Sequence, residues 1–394
     1  MNLRNIFLRH VAQTSSEPMG LEIVSANGLY LIDKYGKKYM DLISGIGVSV
    51  LGHQHPAVVQ AIHEQVDRYM HTLVYGEYVL SPQVLYAQML TQQLDPTLNC
   101  VYFVNSGTEA TEGALKLARR YTGRPEIISC IHAYHGSTTG AMALNSHEYF
   151  TGAYRPLLPG VRHIRFNVLE DLQLITNQTA AVIVEPVQAE RGIYIPDAGY
   201  LRALRQQTIE TNTLLIFDEI QTGFGRTGTL FAHQKYDVVP DIMLIAKGMG
   251  GGMPIGAFVS DREIMQCFTH NPVLGHITTF GGHPVNCAAA LATLQTLLTS
   301  DLISSVVAKE RILHDRLIHP RILELRTAGL WAAIEVESSA ILHDVIKRCL
   351  EKGMILDWFL FNEKSLRLAP PLTISEHEVH WVCNTFLNVL DDLS

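Results

Sequence analysis

The sequence has no Cys-x-x-Cys pair, although it holds six cysteines: Cys100, Cys130, Cys267, Cys287, Cys349 and Cys383. Scattered in this way, they read as buried small hydrophobes in a reducing compartment, not as disulfides or zinc ligands. No stretch of about 18 apolar residues occurs, so no membrane span is expected. The opening segment, MNLRNIFLRHVAQTSSEP, lacks the apolar core and small-residue cleavage site of a signal peptide. No Lys/Arg run stands out and the net charge is -8, which argues against nucleic acid or an anionic membrane as a partner. Internal repeats and low-complexity linkers are missing too. These absences leave a cytoplasmic globular protein as the expectation.

What is present fits an enzyme. The chain has 394 residues, 47% hydrophobic and 17% charged, enough for two or three lobes with a sizeable core. GLYLIDKYGKKYMDLISG, from Gly28 to Gly45, alternates around a Tyr-Gly-Lys turn and predicts a hairpin. A helix follows, with Pro56 in its first turn. The middle of the chain carries short, nearly continuous apolar runs: CVYFVNS, EIISCIHAY, AAVIVEPV, TLLIFDEI and DIMLIAKG. Helical patterns lie between several of them. Such strands indicate a mostly parallel sheet covered on both faces, with chemistry just beyond the strands' carboxyl ends. Four runs end in polar residues: Ser106, Glu185, Asp218 with Glu219, and Lys247. Beyond about residue 290, LRTAGLWAAIEVE and SLRLAPPLTI read as strands of a smaller lobe.

Asn105-Ser106-Gly107-Thr108-Glu109 ends a strand and opens a helix, where free amides and the helix dipole suit a phosphate. Ser106-x-x-Glu109 is equally an ordinary capping box. Tyr134 in AYHG could stack on a flat ring or simply pack in the core. His132 with His135, His53 with His55, and His276 with His283 lack a neighbouring carboxylate or cysteine at ligand spacing, so no metal is expected. Asp218 and Glu219 finish an apolar strand, where an aspartate needs a cationic partner. A magnesium site of the Walker type would need a Gly-x-x-x-x-Gly-Lys-Ser/Thr loop, and the chain has none. Lys247 ends the run MLIA ahead of several glycines. Burial there would lower its pKa and make it nucleophilic, whereas a surface turn would leave it ordinary. A phosphate cradle, a stacking aromatic, an acid for a ring nitrogen and an amine for an aldehyde are the groups that pyridoxal phosphate requires.

From GIGVSVLGHQHP through SGTEA, AYHG, VEPVQAE, FDEIQTGFGRTG, AKGMGGGMPIGA and HITTFGGHP to LRLAPPLTI, the chain resembles the class III, or omega, aminotransferases. The acetylornithine, ornithine and 4-aminobutyrate aminotransferases belong to that family. The resemblance implies the α/β architecture of fold type I: a large domain with a mostly parallel sheet, about 56–290, and a smaller α+β domain from both termini, 1–55 and 291–394. It implies pyridoxal 5'-phosphate as cofactor, with Ser106, Gly107 and Thr108 at the phosphate. Tyr134 and Ile220 resemble the residues on the two ring faces. Asp218 is similar to the acid at the pyridine nitrogen, Gln221 to the residue near the phenolic oxygen, and Lys247 to the Schiff-base lysine. Thr279 resembles the threonine that reaches a phosphate in the neighbouring subunit, which implies a homodimer with shared sites.

Arg367 matches the arginine that grips a keto-acid carboxylate, and Glu190 the acid that neutralises it. Three departures stand out. Ser137 replaces the arginine that helps to bind substrate in the acetylornithine and ornithine branch. Gln188-Ala189-Glu190-Arg191 replaces Gln-Gly-Glu-Gly and adds a positive charge near the pocket entrance, where Arg191 would affect donor choice. His283 replaces an asparagine. The expected reaction is ping-pong transfer of an amino group from an amine or amino acid to a 2-oxo acid such as 2-oxoglutarate or pyruvate. An aminomutase or decarboxylase on the same fold is the alternative, and a non-catalytic α/β nucleotide-binding protein a remote one.

Overall fold

The structure is a computed structural model that describes residues 3–393. Near the N-terminus, β1 (Ile23–Asn27), β2 (Tyr30–Asp33) and β3 (Lys38–Asp41) form an antiparallel meander. The expected hairpin is β2–β3. Its turn is held by Asp33, whose Oδ1 accepts from the amides of Tyr35 and Lys37, both at 2.9 Å. The helix Pro56–Arg68 begins on its proline, as the sequence predicts, and packs on the helix Pro284–Thr299.

The central sheet follows. Its strands are β4 (Cys100–Val104), β5 (Glu126–Cys130), β6 (Val161–Ile164), β7 (Thr179–Val184), β8 (Leu214–Asp218), β9 (Ile242–Ile245) and β10 (Gly256–Ser260). They lie in the order β4-β10-β9-β8-β7-β5-β6, and only β10 runs against its neighbours. Strands β7, β8 and β9 are buried along their whole length, which explains why they read as unbroken apolar runs. One face is covered by the helix Gly107–Thr122, which seats Ala110, Ala114, Leu117 and Ala118 among Ile183, Ile216, Leu244 and Phe258. The other is covered by Tyr200–Glu210, whose Leu201 and Leu204 meet Val182, Leu215 and Phe217. The architecture is the mostly parallel, doubly covered α/β sheet expected for fold type I.

Farther on come β11 (Glu324–Thr327), β12 (Ala332–Glu335), β13 (Met354–Ile355), β14 (Asp357–Phe359) and β15 (Asn362–Leu368). Four of these make an antiparallel sheet in the order β11-β12-β15-β14. β13 instead joins the N-terminal meander, pairing in parallel with β3. All six cysteines are free; four are buried as the sequence suggests, and Cys100 and Cys267 are only half-buried.

Candidate active site

The strand ends converge on one cavity of about 510 Å³, at the carboxyl edge of the central sheet. Ser106, Gly107 and Thr108 line it from the end of β4, Tyr134, His135 and Gly136 from beyond β5, and Glu185 from the end of β7. Asp218, Ile220 and Gln221 come from β8 and Lys247 from just past β9. Glu219 does not belong with them. It is fully buried and turned away, accepting from the amides of Ala232 (2.9 Å) and His233 (2.7 Å) and from the Thr222 hydroxyl at 2.5 Å. The neighbouring acid thus fastens a loop, and the two carboxylates do not form a pair.

The Ser106 turn caps its helix from one side only, because Glu109 reaches past Ser106 to Asn105 and the reciprocal half of a capping box is missing. Ser106 Oγ accepts from Glu109 N at 3.3 Å, and Glu109 reaches back to Asn105 N at 2.8 Å. The amides of Gly107 and Thr108 retain no acceptor among the described residues. Gly107 has no room for a side chain, since a Cβ would fall 2.8 Å from Ile220 Cδ1. Gly136 has φ +131°, and a Cβ there would fall 2.3 Å from Thr108 Oγ1. Two glycines and two unpaired amides at the positive end of a helix make an anion cradle.

Asp218 does have a partner, a histidine in place of the lysine or arginine of most buried pairs. Its Oδ2 lies 2.7 Å from His135 Nδ1, and its Oδ1 accepts from Ile220 N at 3.0 Å. His135 is buried, and its Nε2 has no hydrogen-bond partner. The other histidines scatter. His132 faces His147 and Phe361, His53 meets Asp41 at 3.0 Å, and His276 meets Lys116 at 2.9 Å. His283 Nδ1 accepts from Val285 N at 3.3 Å, capping the helix Pro284–Thr299 as an asparagine in its place would.

Lys247 opens a one-turn 3-10 helix with φ +45°, a conformation that costs a non-glycine residue energy and recurs at functional sites. Its ammonium makes no hydrogen bond or ion pair among the described residues. Burial pushes its pKa down to about 8; Glu190 and Asp218 oppose that shift and Arg367 adds to it. Glu185, wholly enclosed, is pushed up to about 7 by burial, and it accepts from Tyr134 N (3.0 Å) and Ala189 N (2.9 Å).

Arg367, Glu190, Arg191 and Thr279 do not line this cavity. Arg367 Nη2 donates to Glu190 Oε2 at 2.7 Å, and both side chains are buried. Glu190 also accepts from Gln221 Nε2 (3.2 Å) and Leu360 N (3.1 Å), so Gln221 connects the pair to the cavity wall. Burial works against its charge, but Arg367, then Lys247 and these hydrogen bonds, hold its pKa below the usual carboxylate value. Arg191 lies over the Tyr194 ring at 4.0 Å and reaches Gln188 Oε1 at 3.3 Å. Thr279 is exposed, on the segment ahead of the helix Pro284–Thr299. Ser137, in the arginine's place, lines the cavity and bonds the Tyr134 hydroxyl at 2.9 Å.

The family described as Aminotransferase class-III matches residues 11–390. The chain belongs to the class III aminotransferases. It is 37% identical over 383 residues to the acetylornithine aminotransferase of Methanocaldococcus jannaschii, covering 94% of this chain and 92% of that one. It is also 37% identical to the putrescine aminotransferase of Pectobacterium atrosepticum, over 92% of this chain and 81% of the relative. Among solved structures, the ornithine aminotransferase of Toxoplasma gondii superposes with a TM-score of 0.90 at 29% identity, covering 99% and 96% of the two chains. A second structure of that enzyme is described with partial occupancy of its pyridoxal phosphate site. Class III aminotransferases work with pyridoxal 5'-phosphate, and the residues present here fit that group. The unpaired amides of Gly107 and Thr108 suit its phosphate, the aromatic Tyr134 its ring, and the free, depressed amine of Lys247 its aldehyde.

Proposed function

We propose that this aminotransferase moves an amino group from an amine or amino acid to a 2-oxo acid, 2-oxoglutarate or pyruvate, in two successive half-reactions. Lys247 is the cofactor-binding amine and Asp218 the acid at the ring nitrogen. Ser106, Gly107 and Thr108 hold the phosphate, Tyr134 and Ile220 bound the ring, and Gln221 sits by its phenolic oxygen. The observation that carries this reading is the meeting of Lys247 and Asp218 in one cavity with the unpaired amides of Gly107 and Thr108.

When bound, the cofactor supplies an aldehyde that captures the amine and a ring that takes up electrons from the bond being broken. Asp218, fixed by His135 and by Ile220 N, holds a proton on the ring nitrogen. Lys247 Nζ would carry the proton between the substrate carbon and the cofactor carbon. Burial lowers the Lys247 pKa to about 8, below that of an ordinary lysine, and so favours the unprotonated amine. Arg367 binds a carboxylate of the acceptor, and Glu190 takes its place on Arg367 when an uncharged group occupies the pocket. Arg191 affects donor choice from outside the cavity, and Ser137 turns that choice away from partners that need an arginine there.

The working unit is a homodimer in the cytoplasm, with 1–55, 56–290 and 291–394 as its structural divisions. Thr279 completes the phosphate site of the neighbouring subunit. Its exposed position beside exposed Val273, Ile277 and Phe280 supports that arrangement. The deciding experiment is borohydride reduction of the purified yellow protein followed by peptide mapping. The cofactor is expected on the peptide containing Lys247, and attachment anywhere else overturns the assignment.

A further inference from the structure

The first turn of the helix Gly107–Thr122 is joined to the segment after β5 by a chain of three side chains. Thr108 Oγ1 lies 2.7 Å from Thr138 Oγ1 and also accepts from Thr138 N at 3.1 Å. Thr138 Oγ1 donates in turn to Glu112 Oε1 at 2.6 Å, and the same oxygen accepts from Gly140 N (2.9 Å) and Ala141 N (3.2 Å). Glu112 thus caps the short helix Thr139–Met142 from outside, a task that its N-cap residue Thr138 leaves undone. The fit is close. A Cβ at Gly140 would fall 2.3 Å from Glu112 Oε2, and one at Gly136 would fall 2.3 Å from Thr108 Oγ1. Thr111 adds a further tie, donating to His135 O at 2.8 Å.

The order of protons along this chain is fixed by its acid. A carboxylate accepts and does not donate, whereas a hydroxyl has one proton to give. Thr138 spends its proton on Glu112, so the contact between the two threonines is made by the proton of Thr108. The Thr108 hydroxyl then has no proton for any other acceptor, while the Thr108 amide remains unpaired. We propose that Glu112 and Thr138 are positioning residues for the cofactor phosphate: they commit the hydroxyl of Thr108 to a brace, so that Thr108 serves the phosphate through its amide. This rests on the reading of Gly107 and Thr108 as the phosphate cradle. The same brace holds the loop of Tyr134 and His135, so the phosphate site and the partner of Asp218 are set by one group of contacts.

The test compares the binding of pyridoxal 5'-phosphate and of pyridoxal to the full-length apoenzyme, followed by absorbance. Both present the same aldehyde to Lys247, so the ratio of their dissociation constants isolates the phosphate. Glu112→Gln keeps the shape and loses the charge that directs the chain, and Thr138→Val removes the middle hydroxyl. Each should lower the preference for the phosphorylated form about tenfold, the scale of one hydrogen bond to a charged group, and Thr138→Ser should retain it. Thr108→Val should cost about tenfold alone but no more than about twofold on top of Thr138→Val, where the chain is already broken. A direct bond from the Thr108 hydroxyl to the phosphate would cost the same in both backgrounds and overturn the proposal. Equal losses of both ligands, or no loss, in Glu112→Gln and Thr138→Val would overturn it too. Gly107→Ala serves as the reference and should lower the preference whatever the chain does, since the cradle has no room for a Cβ. If it does so while the Glu112 and Thr138 variants keep the wild-type ratio, the cradle stands and the brace alone is wrong. If Gly107→Ala leaves the ratio unaltered, the reading of the cradle fails and the inference fails with it.

Discussion

Asp218 illustrates how much one buried acid depends on what surrounds it. Its two oxygens are both engaged, by His135 Nδ1 and Ile220 N, so the carboxylate cannot rotate away from the cavity. Asp218→Ala should lower turnover at least about 100-fold, the scale for loss of a key electrostatic partner, with the fold retained. His135→Phe leaves the acid in place but unsteadied, and about tenfold is expected, with a shifted absorbance of the bound cofactor as the mark of a positioning role. Steady-state rates and visible spectra of the two variants check both, and near-normal turnover in Asp218→Ala would remove its proposed role. The strand-end residues were legible because a polar group after an apolar run is conspicuous in one dimension. The partner of Asp218 was not, since His135 lies 83 positions away and its short His-x-x-His spacing with His132 suggested a different question. Asp357 gave no signal for the same reason; only the cross-strand register brings it to Arg367.

Among the elements, the helix Gly107–Thr122 has the most exacting seat. Gly113 faces β10, and a Cβ there would lie 2.3 Å from Phe258 Cε1. Gly113→Ala gains about 1 kcal/mol of helix propensity but forces the helix off the sheet at an overpacking cost of about 1–3 kcal/mol. Thermal unfolding should move down slightly, and cofactor affinity should fall further than stability, because the same helix carries the Gly107 and Thr108 amides. An unchanged dissociation constant for the cofactor would show that the helix tolerates the displacement. Strands β4, β5, β7, β8 and β9 could be read from sequence since each is a continuous apolar run. β13 and β14, two and three residues long, are too short to display any period, and edge strand β6 carries Arg162 and His163 in its four residues. β10 follows a glycine-rich turn that masks its start.

For the whole molecule, the decisive question is whether one chain suffices. Met70, Tyr78, Val79, Val273, Ile277 and Phe280 are all exposed apolar side chains, on the segments 70–79 and 273–280. Sedimentation equilibrium on dilution should find dimer and cofactor lost together, and Thr279→Ala should weaken cofactor binding about tenfold without dissociating the dimer. A fully active monomer would contradict this. The parallel pairing of Met40 and Asp41 with Met354 and Ile355 bears on a different matter, the order in which the chain is made. About 300 positions separate the two strands, and at about 5–20 residues per second a ribosome takes roughly 15–60 s to cover them. A meander formed in that time would have a bare edge at β3, since the amides of Met40 and Leu42 donate to the carbonyls of Gly353 and Ile355 in the finished fold. Strands made about 300 residues apart thus finish one sheet together, and a nascent chain that had already formed the meander would carry an adhesive edge until β13 emerged.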